Sequence, residues 1–134
     1  MTWQPAAVQF EDEVLLVCDY LRSALAARTE PYAAGVYVGN EKPSTNRARA
    51  VVVRRDGGPQ QGLFDTARLT VRVWADHEQD AADLARLVRA LLVVSPGTGP
   101  IVGALSPQGP MGVPDASQPQ KFLTVELKLR GADL

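Results

Sequence analysis

The residues best suited to chemistry in this chain are acidic and surround its single histidine. His77 lies between Asp76 and Glu78, with Asp80 and Asp83 a few positions further on. Histidine is the commonest general base, and clustered carboxylates bind hard cations. Catalysis requires a nucleophile with a base, or paired carboxylates in a pocket, and no local signature of either surrounds His77. The alternating oxygen ligands, glycine and terminal glutamate of a calcium loop are also missing.

A helix start explains this acidic cluster without any chemistry. Carboxylates near the N-terminus of a helix are stabilised by the helix dipole. Asp76 is predicted to cap the helix, with Gln79 three residues further on as in a capping box. The sequence therefore predicts no catalytic residue, no metal and no cofactor, and so a protein that is not an enzyme.

The basic residues are densest between residues 42 and 55. Arg47 and Arg49 alternate with alanines, so we expect them on one face of a strand that ends at Arg54 and Arg55. Three roles stay open for this face: contact with phosphates, contact with acidic groups of a neighbouring subunit, or protection of an edge strand from aggregation. No aromatic residues are interleaved for base stacking, which disfavours binding of single-stranded nucleic acid.

Composition narrows the classes of function further. The chain has 134 residues, 46% of them hydrophobic, and a formal net charge of −1, which predicts one domain over residues 1–134. This near-neutral charge disfavours tight, non-specific binding of nucleic acid. The only cysteine, Cys18, falls on an apolar helical stripe, which predicts a buried thiol. No segment reaches the ~20 apolar residues of a membrane span, and the first residues lack a signal-peptide pattern, so we expect a protein that stays soluble in the cytosol.

Hydrophobic periodicity predicts two helices and several strands. The first helix is expected over residues 10–27. A strand over residues 69–75 passes directly into the second helix, whose apolar stripe runs from residue 81 to residue 92. Other strands are predicted over residues 35–38, 48–55 and 122–129. We therefore predict an α+β domain, with a mainly antiparallel sheet of four to five strands and two helices packed on one face.

Residues 95–119 are predicted to form a Pro/Gly-rich extended loop. Six of the ten prolines and five of the eleven glycines fall in it, and only residues 101–105 have the pattern of a short strand. A loop of this length is either a plain surface loop or one that orders against a partner, and we favour the second. Trp74, on the opposite face of its strand from the apolar residues, is either packed within the chain or an interface anchor.

With these elements in order, the chain resembles the tail-terminator, or tail-completion, proteins of long-tailed bacteriophages. The resemblance rests on an acidic amphipathic helix over residues 11–25 and on the strand and turn Val-Val-Val-Arg-Arg-Asp-Gly-Gly at residues 51–58. It continues through Leu-Thr-Val-Arg-Val-Trp-Ala at 69–75, which leads into Ala-Ala-Asp-Leu-Ala at 81–85. It closes on Leu-Thr-Val-Glu-Leu-Lys-Leu-Arg-Gly at 123–131.

The resemblance implies a structural protein of the virion neck, assembled in the host cytoplasm. Such a protein forms a homo-hexameric ring that caps the tail tube, contacts the major tail tube protein and the head-side connector or stopper, and leaves a channel for DNA as cargo. The family has no catalytic residues to carry over. Another neck or head-tail connector subunit, a small non-catalytic protein-binding module, and an enzyme whose site assembles through space stay open as alternatives. For the ring, we expect these residues at subunit or tube interfaces: Arg47, Arg49, Arg54, Arg55, Trp74, Pro107, Pro110, Met111 and Pro114.

Overall fold

The described part of the chain contains eleven secondary-structure elements: eight strands, two α-helices and one 3-10 turn. A computed structural model describes residues 8–9, 12–43, 45, 47–58, 60–61, 64–113 and 118–133. None of the helices in these ranges is long and apolar enough to cross a membrane. In chain order, the elements are β1 (Val8–Gln9), α1 (Glu13–Ala26), a 3-10 turn (Pro31–Ala33), β2 (Tyr37–Gly39), β3 (Arg49–Arg55), β4 (Gln60–Gln61), β5 (Phe64–Ala75), α2 (Glu78–Val93), β6 (Ile101–Gly112), β7 (Gln120–Arg130) and β8 (Ala132–Asp133).

The main sheet is mostly antiparallel and has the strand order β2-β3-β5-β7-β6. Only β2 and β3 run parallel, and the short β4 pairs with the start of β5. A separate two-stranded pair joins β1 to β8. The predicted α+β class, mainly antiparallel sheet and two helices are confirmed. The main sheet has six strands rather than four or five because β4 and a full-length β6 belong to it.

Both helices pack on one face of this sheet and enclose the core between them. α1 lies against β2 and β3, whereas α2 lies against β5, β7 and β6. Along β7, the predicted alternation is confirmed, since every second residue is buried beneath the helices. Tyr20 in α1 donates a hydrogen bond from its hydroxyl to the carbonyl of Leu91 in α2, at 2.6 Å, which ties the two helices together. Cys18 is buried in the same core, as predicted, and burial raises the pKa of its thiol.

The first helix begins three residues later than its periodicity predicted. Asp12 is the N-cap, and its Oδ1 accepts hydrogen bonds from the backbone N–H groups of Val14 and Leu15 at 3.0 and 3.1 Å. These bonds satisfy two of the orphan donors at the helix start. The apolar pattern before Asp12 therefore does not extend the helix.

The predicted cap of the second helix is wrong. The N-cap of α2 is His77, which makes no capping hydrogen bond with its side chain. Asp76 lies one residue too early, because β5 holds its pairing to Ala75 before the chain turns. Instead of capping, its Oδ1 accepts a hydrogen bond at 3.3 Å from Nε2 of Gln118, beyond the end of the sheet. The capping box with Gln79 is consequently absent as well.

The predicted loop over residues 95–119 is also wrong for its central part, because β6 occupies Ile101–Gly112. β6 is an edge strand, so its outer N–H groups need no partner in the sheet. Its register against β7 shifts between Leu105 and Gln108 and again between Gln108 and Met111, and these irregularities accommodate Pro107 and Pro110. Loops remain on either side of the strand, and Pro114 lies outside the described residues.

Candidate interaction surfaces

Trp74 belongs to the face of the sheet that the helices leave uncovered, which we call the open face. Its side chain is only 8% exposed, because it packs with Tyr37, Ala50 and Val52 of the neighbouring strands. The ammonium of Lys42 lies 5.6 Å from the centre of its ring, within the range of a cation–π contact. Of the two alternatives for Trp74, the structure therefore shows the first, in which the side chain packs within its own chain.

Arg47 and Arg49, which the sequence predicts on one face of a strand, lie on different faces of the sheet. β3 begins at Arg49, so the alternation does not reach back to Arg47. The guanidinium of Arg47 lies 5.6 Å from the ring centre of Tyr37, on the open face. Arg49 turns the other way and donates a hydrogen bond of 2.7 Å to the carbonyl of Ala34. The basic segment is therefore not a single binding surface.

Arg55 is engaged inside the molecule. Its guanidinium donates two hydrogen bonds to the buried carboxylate of Asp65, at 2.6 and 2.7 Å, and lies 3.2 Å from the carboxylate of Glu13. It also donates to the carbonyls of Gly57 and Gly58, both at 3.1 Å. The hydrogen bonds with Asp65 raise the pKa of Arg55 above its ordinary value. Arg55 therefore fastens α1, β3 and β5 to one another, whereas the adjacent Arg54 is exposed on the open face.

An open hollow of ≈ 450 Å³ lies beside this ion-pair cluster, between the start of α1 and β3. Charged groups of both signs line it, including Glu13, Glu41, Arg54 and Arg55. Because Glu13 already faces Arg55, these charges are partly compensated within the chain.

His77 and the acidic cluster around it lie at the exposed start of α2. His77, Asp76 and Glu78 are all exposed, as the sequence predicted for the histidine. Within the described ranges, no three histidine, cysteine or acidic side chains approach closely enough to hold a metal ion. Glu78 forms an ion pair with Lys121 of β7, which binds the helix start to the sheet.

The largest exposed apolar side chains at the β6 side of the sheet form what we call the β6-side patch: Val93 (44% exposed), Val94 (69%), Val102 (45%), Leu105 (47%) and Met111 (43%). Val93 and Val94 end α2, beside a shallow hollow of ≈ 470 Å³, and the other three lie on the edge strand β6. Leu105 and Met111 pair with Glu126 and Phe122 and so lie on the open face, whereas Val93 and Val94 are on the helix side, so the patch occupies both faces at this edge of the sheet. Met111 is among the interface residues expected from the sequence, whereas that expectation did not include the two valines at the end of α2. Their signal was present, since residues 91–94 are apolar beyond the width of one helical stripe.

The opposite edge of the sheet has a different character. β2 is a short parallel strand, and only one of its sides is paired with β3. Tyr37, in β2, is half-buried and donates a hydrogen bond of 3.1 Å to the carbonyl of Glu41. The two edges of the sheet are therefore two unlike surfaces on opposite sides of one chain.

No family model matches this chain, and no curated protein sequence does.

Proposed function

We propose that this chain is a structural subunit of a phage neck, a tail terminator that forms a ring on the end of the tail tube. The proposal begins from the resemblance of four of its segments to that family. The β6-side patch is the observation that carries it, because an exposed apolar strip along an edge strand is suited to pairing with another chain.

The two unlike sheet edges support a ring in particular. A closed ring needs one patch on each subunit to meet a different patch on the next subunit, with a rotation that returns to the start. The β6-side patch and the β2 edge are two such patches. In the proposed assembly the ring is a homo-hexamer, and its two flat sides contact the tail tube protein and the head-side connector or stopper.

The proposed function is mechanical rather than chemical. The ring stops the growth of the tube, supplies a surface to the connector, and leaves a central channel through which DNA passes. No bond is made or broken in this function, and it takes place in the virion after assembly in the host cytoplasm. The residues that matter are then those that bury area between subunits.

The experiment that tests the proposal is the native mass of the purified chain over a range of concentrations. The double variant Val94→Asp with Val102→Asp places two charges in the β6-side patch and should abolish the ring. Leu15→Asp is the matched control, because Leu15 is an equally apolar side chain, 57% exposed on α1 and outside the β6-side patch. The control should assemble as the native chain does.

Two results would overturn the proposal. The first is a native chain that stays a monomer or dimer at all concentrations and also fails to bind purified tail tubes, which would favour a small binding module. The second is a set of phage particles in which an antibody to this chain labels no neck.

A further inference from the structure

The open face of the sheet is strongly basic, although the whole chain is nearly neutral. Five cationic side chains occupy alternate positions on three neighbouring strands, and their sequence neighbours are the residues buried beneath the helices. They are Arg54 of β3, Arg68 and Arg72 of β5, and Lys128 and Arg130 of β7. Lys42 and Arg47 extend the positive charge at one end of the face, over the rings of Trp74 and Tyr37.

Few carboxylates oppose these cations. Among the described residues, Glu126 lies on the face at 3.6 Å from Arg68, and Asp56, whose backbone N–H donates to the carbonyl of Arg68, is exposed at the rim in the turn after β3. No ion pair joins Arg54, Arg72 or Arg130 to a carboxylate in the described ranges. Of the five cations, all but Arg68 therefore form no ion pair within the described ranges, which leaves four for a ligand.

Six other carboxylates of the described residues form ion pairs with nearby cations: Asp19 with Arg22, Glu30 with Arg28, Glu13 and Asp65 with Arg55, Asp83 with Arg86, and Glu78 with Lys121. The cations of the open face that have no ion pair favour a polyanion as the partner of this surface.

The side chains between the cations fit a phosphate backbone. Thr66, Thr70 and Thr124 present hydroxyl groups in the same rows, and arginine, lysine and threonine are the usual donors to DNA phosphates. A hollow of ≈ 310 Å³ on this face is lined by Arg68, Gln108, Thr124, Val125 and Glu126, which is room for a phosphate group.

The aromatic residues of the face favour a duplex over a single strand. Stacking of unpaired bases needs open ring faces. Phe64 is 37% exposed, but the ammonium of Lys128 lies 4.4 Å from the centre of its ring, Trp74 is buried, and Phe122 and Tyr37 are half-buried. The face therefore offers cations and hydroxyls to a backbone rather than rings to separate bases.

We propose that the open face of the sheet binds duplex DNA through its phosphates, without sequence preference. This assignment moves Arg54 from the subunit interface expected from the sequence to a DNA-facing surface. The net charge of −1 disfavours binding of nucleic acid when the chain is considered as a whole, but the open face taken by itself is positively charged. Binding of this kind is weak and non-specific, so it allows a duplex to slide.

The test is the binding of a fluorescent 30-base-pair duplex, measured by anisotropy between 50 and 200 mM salt. With about four phosphate contacts, the logarithmic salt slope should be about −3.6, which is about a 150-fold loss of affinity over that range. The double variant Arg54→Gln with Arg72→Gln should make the slope shallower by about 1.8. Arg86→Gln with Arg89→Gln, two exposed arginines on α2, is the matched control and should leave the slope unchanged. Thermal unfolding of both double variants checks that they fold.

Three outcomes would refute this assignment. The native chain fails to bind the duplex at 50 mM salt, or the two double variants weaken binding equally, or a polyglutamate peptide of matched charge binds as tightly as the duplex. The last result would assign the face to an acidic protein. Ring formation is scored by mass without DNA, so either proposal can fail while the other stands.

Discussion

Replacing Arg55 should destabilise the fold far more than replacing its neighbour Arg54, although both are arginines at the end of β3. Arg55→Gln removes two charge-assisted hydrogen bonds to Asp65, whose side chain is only 3% exposed. Breaking a buried ion pair by removing one partner costs about 3–5 kcal/mol. Because Arg55 itself is 26% exposed, water screens part of the interaction, and we expect about 3 kcal/mol.

Arg54→Gln is the matched control. Arg54 is exposed, so its replacement should change the free energy of unfolding by no more than about 0.5 kcal/mol. Thermal unfolding followed by circular dichroism separates the two variants. For a chain of 134 residues, 3 kcal/mol corresponds to a fall in Tm of about 10 °C.

Asp65→Asn extends the same test to the other partner. The amide keeps the shape of the side chain and one acceptor oxygen, while Arg55 retains Glu13 and two backbone carbonyls. We expect a loss of about 1–2 kcal/mol, less than for Arg55→Gln, and a double variant that loses less than the sum. If Arg55→Gln unfolds within 1 kcal/mol of Arg54→Gln, the internal role assigned to Arg55 is wrong.

Three further predictions concern the turn after β3, an exposed ion pair and the core. Gly58→Ala should lower the free energy of unfolding by about 2–4 kcal/mol, because φ is +103° and an added Cβ would lie 1.9 Å from the carbonyl oxygen of Thr66. Gly57 has φ +115° but open space around it, so Gly57→Ala should lower it by only about 1–2 kcal/mol. Denaturant unfolding measures both losses. The hydrogen bond from Arg28 lowers the pKa of Glu30 from 4.5 to about 2. The stability that this pair contributes is therefore complete above pH 4.5 and is lost as the pH falls toward 2. In the Arg28→Gln variant, an NMR titration should show the pKa of Glu30 raised toward 4.5. Leu84→Ala should cost about 2–5 kcal/mol, since Leu84 is fully buried in the core; a loss under 1 kcal/mol would contradict that placement.

Much of the fold follows from periodicity in the sequence. The alternation along residues 122–129 and the helical stripes of both helices mark the residues that the core buries, and these patterns hold because burial of one face is the dominant favourable term. The start of α1 could not be placed by periodicity, because apolar residues before Asp12 continue the stripe. Only the capping bonds of Asp12 decide the boundary.

The candidate surfaces were less predictable than the core. Beyond residue 105, β6 was missed because prolines and glycines argue against a strand unless it is known to be an edge, and position in the sheet is a tertiary property. The role of Arg55 was missed for a related reason, since Asp65 is ten residues away in sequence and reaches it only through the pairing of β3 with β5. The basic open face was hidden because net charge averages over faces that the fold separates.

The measurement that tests the central claim most directly is native mass spectrometry of the chain, alone and on purified tail tubes. We predict a closed species of about six times the 14.4-kDa chain, lost in the Val94→Asp, Val102→Asp variant and kept in Leu15→Asp. A chain that remains monomeric alone and leaves the tubes bare would contradict the account.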